Sequence, residues 1–398
     1  MRLYFDHNAT TPVAPEVREA MLPFLGEEYG NASSIHRFGQ RAKAAVERAR
    51  SQVADLIHCH PSEVVFTSGG TEADNLAVLG AVRASTLPRK HVITSSIEHP
   101  AVLETCRALE TEGVAVTYLP VSVQGVIDPE EVQQALRPET VLITIMHANN
   151  EIGTVQPLEA VAAIARRAGV LFHTDAVQST GKIRVDVLSL GVDLLTLSAH
   201  KFYGPKGVGA LFVREGVTLH PVLFGGHSSS NLRPGTANVP SIVGLGQAAA
   251  AAARDLDAEG RRIAALRDRL EQGILERISD TGVNGPAASQ GTALRVPNTT
   301  NVYFEQLEGE SLVIALDLEG AACSTGSACS SGSVEPSHVL TALGVPAERA
   351  RASLRLSLGK QNTAEQVDAL LQRLEKAVQR LRDLAPQTHT ASTVSGVC

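Results

Sequence analysis

Short apolar runs alternate with stretches of helical period from about residue 40 to residue 213, and this alternation constrains the fold more than any other feature. The runs are 64–66, 91–94, 115–119, 141–146, 169–173, 193–197 and 209–213. Apolar runs this short, with few breakers, are expected as buried strands. Between them, residues 40–57 place Ala45, Val46, Ala49, Val53 and Leu56 on one helical face. Residues 158–168 read as a helix ended by Gly169. Strand–helix alternation predicts a largely parallel sheet covered on both faces. Beyond it, 249–277 reads as one long helix. "NVYFEQL", "AACSTG" and "ARASLRLSL" read as shorter strands, and 363–384 as a closing helix. The expectation is an α/β fold with a large, mostly parallel-sheet domain and a smaller α+β domain.

Bulk properties narrow the function. The 398 residues suffice for two to three domains, and 43% hydrophobic residues suffice for their cores. A net charge of −7 and a pI near 6.0 argue against nucleic acid or an anionic membrane as the main partner. "MRLYFDHNATTP" has no apolar core of a signal peptide, and no apolar run reaches the ~18 residues of a membrane span. The five cysteines, Cys59, Cys106, Cys323, Cys329 and Cys398, are scattered without a CxxC pair. That excludes a disulfide framework and a zinc site by spacing, and a cytoplasmic protein with reduced thiols is expected. The tail "TASTVSGVC" reads as polar and disordered.

Polar loops follow five of the strands: "TSGGTEADN", "SSIEHPA", "HANNEIG", "TDAVQS" and "SAHK". The carboxyl ends of parallel strands share one edge, where ligands bind. Lys201, delivered by "DLLTLSAHKFYGPKG", is by itself either a surface lysine opening a loop or an amine kept reactive by desolvation and neighbouring cations. Gly69 and Gly70 make either a plain turn or, with Thr71, a helix start suited to phosphate. Asp175 either caps its loop or faces a cation such as a protonated pyridine nitrogen. Gln178 could reach a phenolic oxygen of the same ring. His99 could lie against an aromatic cofactor or be structural. Ser198 and His200 flank the amine.

"YFDHNATTPVAPEV", "FTSGGTEADN", "IMHANNEIGT", "HTDAVQS", "SAHKFYGPKG", "STGSACSSGSVEPSHVL" and "SLRLSLGKQNTAEQVD" together resemble the cysteine desulfurases of the NifS/IscS type, pyridoxal-phosphate enzymes of fold type I in the class V aminotransferase family. The resemblance covers nearly the whole chain. It implies pyridoxal 5′-phosphate in Schiff-base linkage to Lys201, with Asp175 at the pyridine nitrogen. His99 would stack on the ring and handle protons, and Gln178 would touch the ring oxygen. Gly70, Thr71, Ser198 and His200 would hold the phosphate, completed by Thr236 from a partner subunit in a homodimer. Asn150, which would also touch the cofactor, and Arg355 would hold the substrate carboxylate, a task that suits a guanidinium fork. The implied large cofactor-binding domain is 14–256; 1–13 and 257–398 form the small domain carrying the catalytic loop.

The implied reaction takes L-cysteine to L-alanine and leaves a persulfide on Cys329. Lys201, neutral, removes the Cα proton, and the Cys329 thiolate attacks the substrate sulfur. Cys329 sits in "CSTGSACSSGS", whose small residues suit a mobile loop, whereas Cys323 reads as strand and Cys59 and Cys106 as buried thiols. A sulfur acceptor or iron–sulfur scaffold is the expected partner. No intrinsic metal is expected, Cys329 being a candidate transient ligand of an iron–sulfur cluster. Ser228–Asn231 replace charged residues usual in the family, which touches acceptor docking more than the chemistry. Rival readings are a related lyase or aminotransferase in which Cys329 is dispensable, a dinucleotide oxidoreductase, disfavoured by the lack of GxGxxG, and a non-catalytic scaffold.

Overall fold

A two-residue strand, β1 (Leu3–Tyr4), opens the computed structural model, which describes residues 2–226, 232–287, 294–325 and 335–384. Seven strands then build one sheet: β2 (Val64–Thr67), β3 (His91–Ser95), β4 (Ala115–Leu119), β5 (Thr140–Thr144), β6 (Leu171–Asp175), β7 (Leu194–Ser198) and β8 (Gly209–Val213). Their order is β2-β8-β7-β6-β5-β3-β4. Every expected run is therefore a strand, shifted by at most two residues. β6 starts later than expected because Gly169, in the left-handed region at φ 68°, still caps the preceding helix.

β8 departs from the parallel pattern, pairing antiparallel with both β7 and β2. The reason is the connection. A parallel return needs a crossover of a dozen or more residues. The segment between Ser198 and Gly209 holds only a short 3₁₀ turn, Ala199–Lys201, and a loop, so β8 comes straight back. That turn carries Lys201 at the carboxyl edge of the sheet. Gly209 opens β8 where a Cβ would stand 2.6 Å from the Leu197 carbonyl oxygen and 2.9 Å from Gly69 Cα, so only glycine lets the strands close there.

Apolar side chains cover both faces. Helices Gly70–Ala84 and Pro100–Thr111 pack Leu76, Val78, Val102 and Leu109 on one face. Helices Arg37–Ile57, Leu158–Ala168 and the start of Val239–Arg277 pack Val53, Val161 and Leu245 on the other. A second core gathers Phe5, Leu270, Ile274, Phe304, Leu356 and Leu374. Around it lie β9 (Thr281–Val283), β10 (Thr299–Phe304), β11 (Ala321–Ala322), β12 (Ser324–Thr325) and β13 (Ser353–Ser357). Strands β12-β13-β10-β9 form an antiparallel sheet, and β1 pairs parallel with β11.

The helix Val239–Arg277 runs through both cores and begins ten residues before the expected start, capped by Asn238, whose side chain accepts from Ser241 N–H. Gly244 and Gly246 weaken its helical signal but are required by contact. A Cβ at 244 would meet Met21 Sδ at 2.7 Å, and one at 246 would meet Ala49 Cα at 2.5 Å. Among the described residues no helix is long and apolar enough to cross a membrane.

Candidate active site

The carboxyl edge of the large sheet gathers most of the described residues singled out from the sequence. β6 ends on Asp175, whose Oδ1 accepts from Val177 N–H at 2.8 Å. One donor atom each of Asp175, Asp74 and His99 lies within 4.8 Å of the others. Burial pushes the Asp175 carboxyl up to about 6 and raises Asp74 well above the usual carboxylate range, the latter helped by the neighbouring Asp175. Burial outweighs the Lys201 charge that favours the Asp175 carboxylate. His99 caps helix Pro100–Thr111, its Nδ1 accepting from Ala101 N–H, and burial, then Lys201, pulls it down to about 4.

Lys201 turns its amine onto two backbone carbonyls of the N-terminal segment, Asn8 at 2.5 Å and Ala9 at 3.0 Å. Its neighbour His200 shares a hydrogen bond with Thr10 Oγ1 at 3.1 Å and is drawn down to about 4, first by burial and then by Lys201. Gly70 starts a 15-residue helix beside Ser198; a Cβ at 70 would lie 3.0 Å from Val177 Cγ2 and 3.7 Å from Ser198 Cβ. Thr71 follows in the first turn, where backbone N–H groups and the helix dipole favour an anion. Gln178 Nε2 donates to the Asn8 carbonyl at 3.1 Å.

Arg355, on β13, reaches the same edge from the second core. Its Nη2 pairs with Asp6 at 2.7 Å and its Nη1 donates to the Asn150 carbonyl at 3.3 Å; its buried Nε has no partner among the described residues. Asn150 is linked in turn to Asn8, which donates to its carbonyl at 3.0 Å. Thr236 stands apart. It is exposed, on a groove shared with Ser68, Arg233 and Ile35. Cys329 and Ser228–Asn231 lie outside the described residues. Cys323 and Cys106 are buried and Cys59 is half-buried, and burial pushes all three thiols up to about 12.

Four contributors were not singled out from the sequence: Asn8, Asp6, Asp74 and Lys182. Lys182 donates to Asn8 Oδ1 at 3.0 Å and to Gln178 Oε1 at 2.7 Å. The signal for Lys182 was its place four residues after Gln178. Asp6 and Asn8 lay in the quoted "YFDHNATTP", with no spacing to tie them to Lys201.

The donor set fits pyridoxal 5′-phosphate. A carboxyl whose charged form burial disfavours suits a protonated ring nitrogen, a helix start with a crowded glycine suits a phosphate, and an amine lies within the same cluster.

Residues 3–370 match the family model described as Aminotransferase class-V. The chain belongs to the aminotransferase class-V family. A member from Dictyoglomus turgidum, named cysteine desulfurase IscS, is 50% identical over 384 residues, 96% of this chain and 96% of that protein. A solved structure named NifS-like protein superposes with a TM-score of 0.89 at 39% identity, covering 96% of this chain and all of that one. Another, titled SspA in complex with cysteine, reaches 0.79 at 40% identity, covering 90% and 99%.

Proposed function

We propose that this class-V family member is a pyridoxal 5′-phosphate-dependent cysteine desulfurase, converting L-cysteine to L-alanine while the sulfur passes to Cys329 as a persulfide. The observation that carries the reading is the convergence of Lys201, Asp175 and Arg355 on one sheet edge. Relatives named cysteine desulfurase along 96% of the chain, and a cysteine complex among the similar structures, support the substrate.

The cofactor, when bound, supplies an electron sink for the substrate Cα. The chain supplies the rest. Asp175, its charge favoured by a cationic ring, anchors one end of the site. Gly70, Thr71, Ser198 and His200 hold the phosphate at the other. His99, a donor atom of which lies within 4.8 Å of Asp175, would stack on the ring, and Gln178 would offer an N–H to a ring oxygen. Arg355, beside Asn150, binds the substrate carboxylate, for which its unpartnered Nε and the Asp6-held Nη2 form one edge of the fork. Lys201 in its neutral form takes the Cα proton. The Cys329 thiolate attacks the substrate sulfur; the C–S bond breaks, an S–S bond forms, and L-cysteine plus thiol becomes L-alanine plus persulfide. Cys329 is assigned by its match to the family's SGSAC segment, since the described thiols are held protonated by burial.

The same reading includes a homodimer completed by Thr236 across the interface, a cytoplasmic location, and a sulfur acceptor or iron–sulfur scaffold as partner. Ile35, 94% exposed, lines the groove that carries Thr236, and an exposed Tyr29–Phe38 ring pair stands nearby in the chain, an apolar surface that a second copy would cover. The second core supports a small domain of 1–13 and 257–398 beside 14–256.

The test is direct. Purified protein should be yellow and lose its visible band with borohydride. Lys201→Ala should lose both the band and all alanine production. Cys329→Ser should keep the band and the response to L-cysteine but lose alanine and persulfide formation by several orders of magnitude, and Cys323→Ser should do far less. A colourless parent, or a Cys329→Ser variant with normal desulfuration, overturns the reading.

A further inference from the structure

Gln178 is held at both ends of its amide. Its Nε2 donates to the Asn8 carbonyl, which can only accept, and its Oε1 receives Lys182 Nζ at 2.7 Å. The Asn8 carbonyl fixes which end of the amide faces it, so the oxygen is left for the Lys182 amine to donate to. The same Lys182 amine donates to Asn8 Oδ1, which also accepts from Asn298 Nδ2 at 2.9 Å. The Asn8 side-chain nitrogen is committed to the Asn150 carbonyl and to Thr299 Oγ1. Asn8 is thereby fixed on every side, and its carbonyl is where the Lys201 amine rests.

We propose that Lys182 is a positioning residue: by holding Asn8 and the Gln178 amide together, it keeps Gln178 a donor at the cofactor site and fixes the carbonyl on which Lys201 rests. The inference rests on the cofactor reading above. The fold builds this contact deliberately close. After β6 the chain turns through Gly181, at φ 75°, where a Cβ would meet Phe202 Cβ at 2.7 Å, and Lys182 N–H returns to the Ser179 carbonyl. Lysine is thus presented back toward Gln178.

The charged surroundings are crowded. Lys201 and His200 face Lys182 from the 3₁₀ turn, Arg355 from β13 and His7 from the N-terminal segment. Lys182 and Lys201 also line a small chamber with Tyr203, Glu259 and Lys360. Burial, then Lys201 and Arg355, lowers the Lys182 amine well below the ordinary lysine range. A lysine kept at such a cost to its charged form is retained for its hydrogen bonds.

The readout is the pH midpoint of the visible band of the cofactor-loaded enzyme. An N–H donor at an anionic ring oxygen favours the less protonated form, so losing it raises the midpoint. Lys182→Met, which removes the donor and keeps the stem, should raise the midpoint by about one unit. Lys182→Gln and Lys182→Arg retain a donor for Gln178 Oε1 and should titrate as the parent does. An unchanged Lys182→Met overturns the inference, as does a Lys182→Gln shift equal to that of Lys182→Met, which would assign the effect to charge. Should Lys182→Met fail to fold by circular dichroism, a shift in both the Gln and Arg variants still overturns it. A parent without any visible band sinks the cofactor reading instead, so the two failures are distinguishable.

Discussion

Glu98 is a carboxyl sealed under the site, with Oε1 accepting from Ser95 Oγ at 2.6 Å and Met146 N–H at 2.9 Å while Oε2 has no partner among the described residues. Burial pushes it up to about 8, against the hydrogen bonds that pull it down. The folded protein therefore keeps a proton that the unfolded chain releases near pH 4.5. Between those two values folding holds the extra proton, so stability from this group falls as pH rises, by about 1.4 kcal/mol per unit, and levels off above about 8. Glu98→Gln removes that slope. Its urea midpoint should gain on the parent's between pH 5 and pH 8, and parallel pH profiles would contradict the assignment. The same scale explains what was legible in the site. Asp175, Gln178 and Lys201 announce themselves because each stands at or just past a strand end. Asn8 and Lys182 do not, because their meaning comes from contacts: the Asn8 carbonyl meets Lys201 across 193 positions of sequence.

The seven strands of the large sheet were legible because each is an apolar run bounded by turns, and helix Leu158–Ala168 because Gly169 ends it. The direction of β8 was not, since apolar pattern carries no sense of direction and only the missing crossover sets it. Nor was the start of helix Val239–Arg277, where glycines chosen for packing imitate a break. That helix offers a paired prediction. At Gly246 a new Cβ would press on Ala49 Cα and Cβ at 2.5 and 2.6 Å, backbone and stem that cannot yield. Overpacking of this kind costs about 1–3 kcal/mol, more than the ~1 kcal/mol alanine gains in helix propensity. At Gly260 the nearest atom would be the Lys182 carbonyl oxygen at 3.7 Å, an ordinary contact. Gly246→Ala should lower the melting temperature and Gly260→Ala should raise it. Equal shifts would mean the two helices do not meet as described.

At the scale of the whole molecule, residues 257–398 hold a buried ion pair of their own, Arg295 Nη1 to Glu271 Oε2 at 2.7 Å, with Thr300 Oγ1 donating to the same oxygen. Removing one partner of a buried pair costs about 3–5 kcal/mol, so Glu271→Ala should be among the most destabilising single changes, visible as a shifted urea midpoint. The apolar groove makes a second prediction. Ile35→Asp should weaken a dimer that buries that side chain, read as a lighter species in sedimentation, while a parent already monomeric would sink the shared-site reading. A different consequence follows from the pairing of β1 with β11 and of Asp6 with Ser357. Translation delivers the N-terminal segment first, yet its strand partners leave the ribosome some three hundred residues later. Throughout that interval the segment has its contacts with the large sheet, such as Thr11 with His200 and Gln178 with Asn8, but not the strand partners on its other side. The candidate site therefore waits for its last wall, the strand that carries Arg355, until synthesis is almost complete.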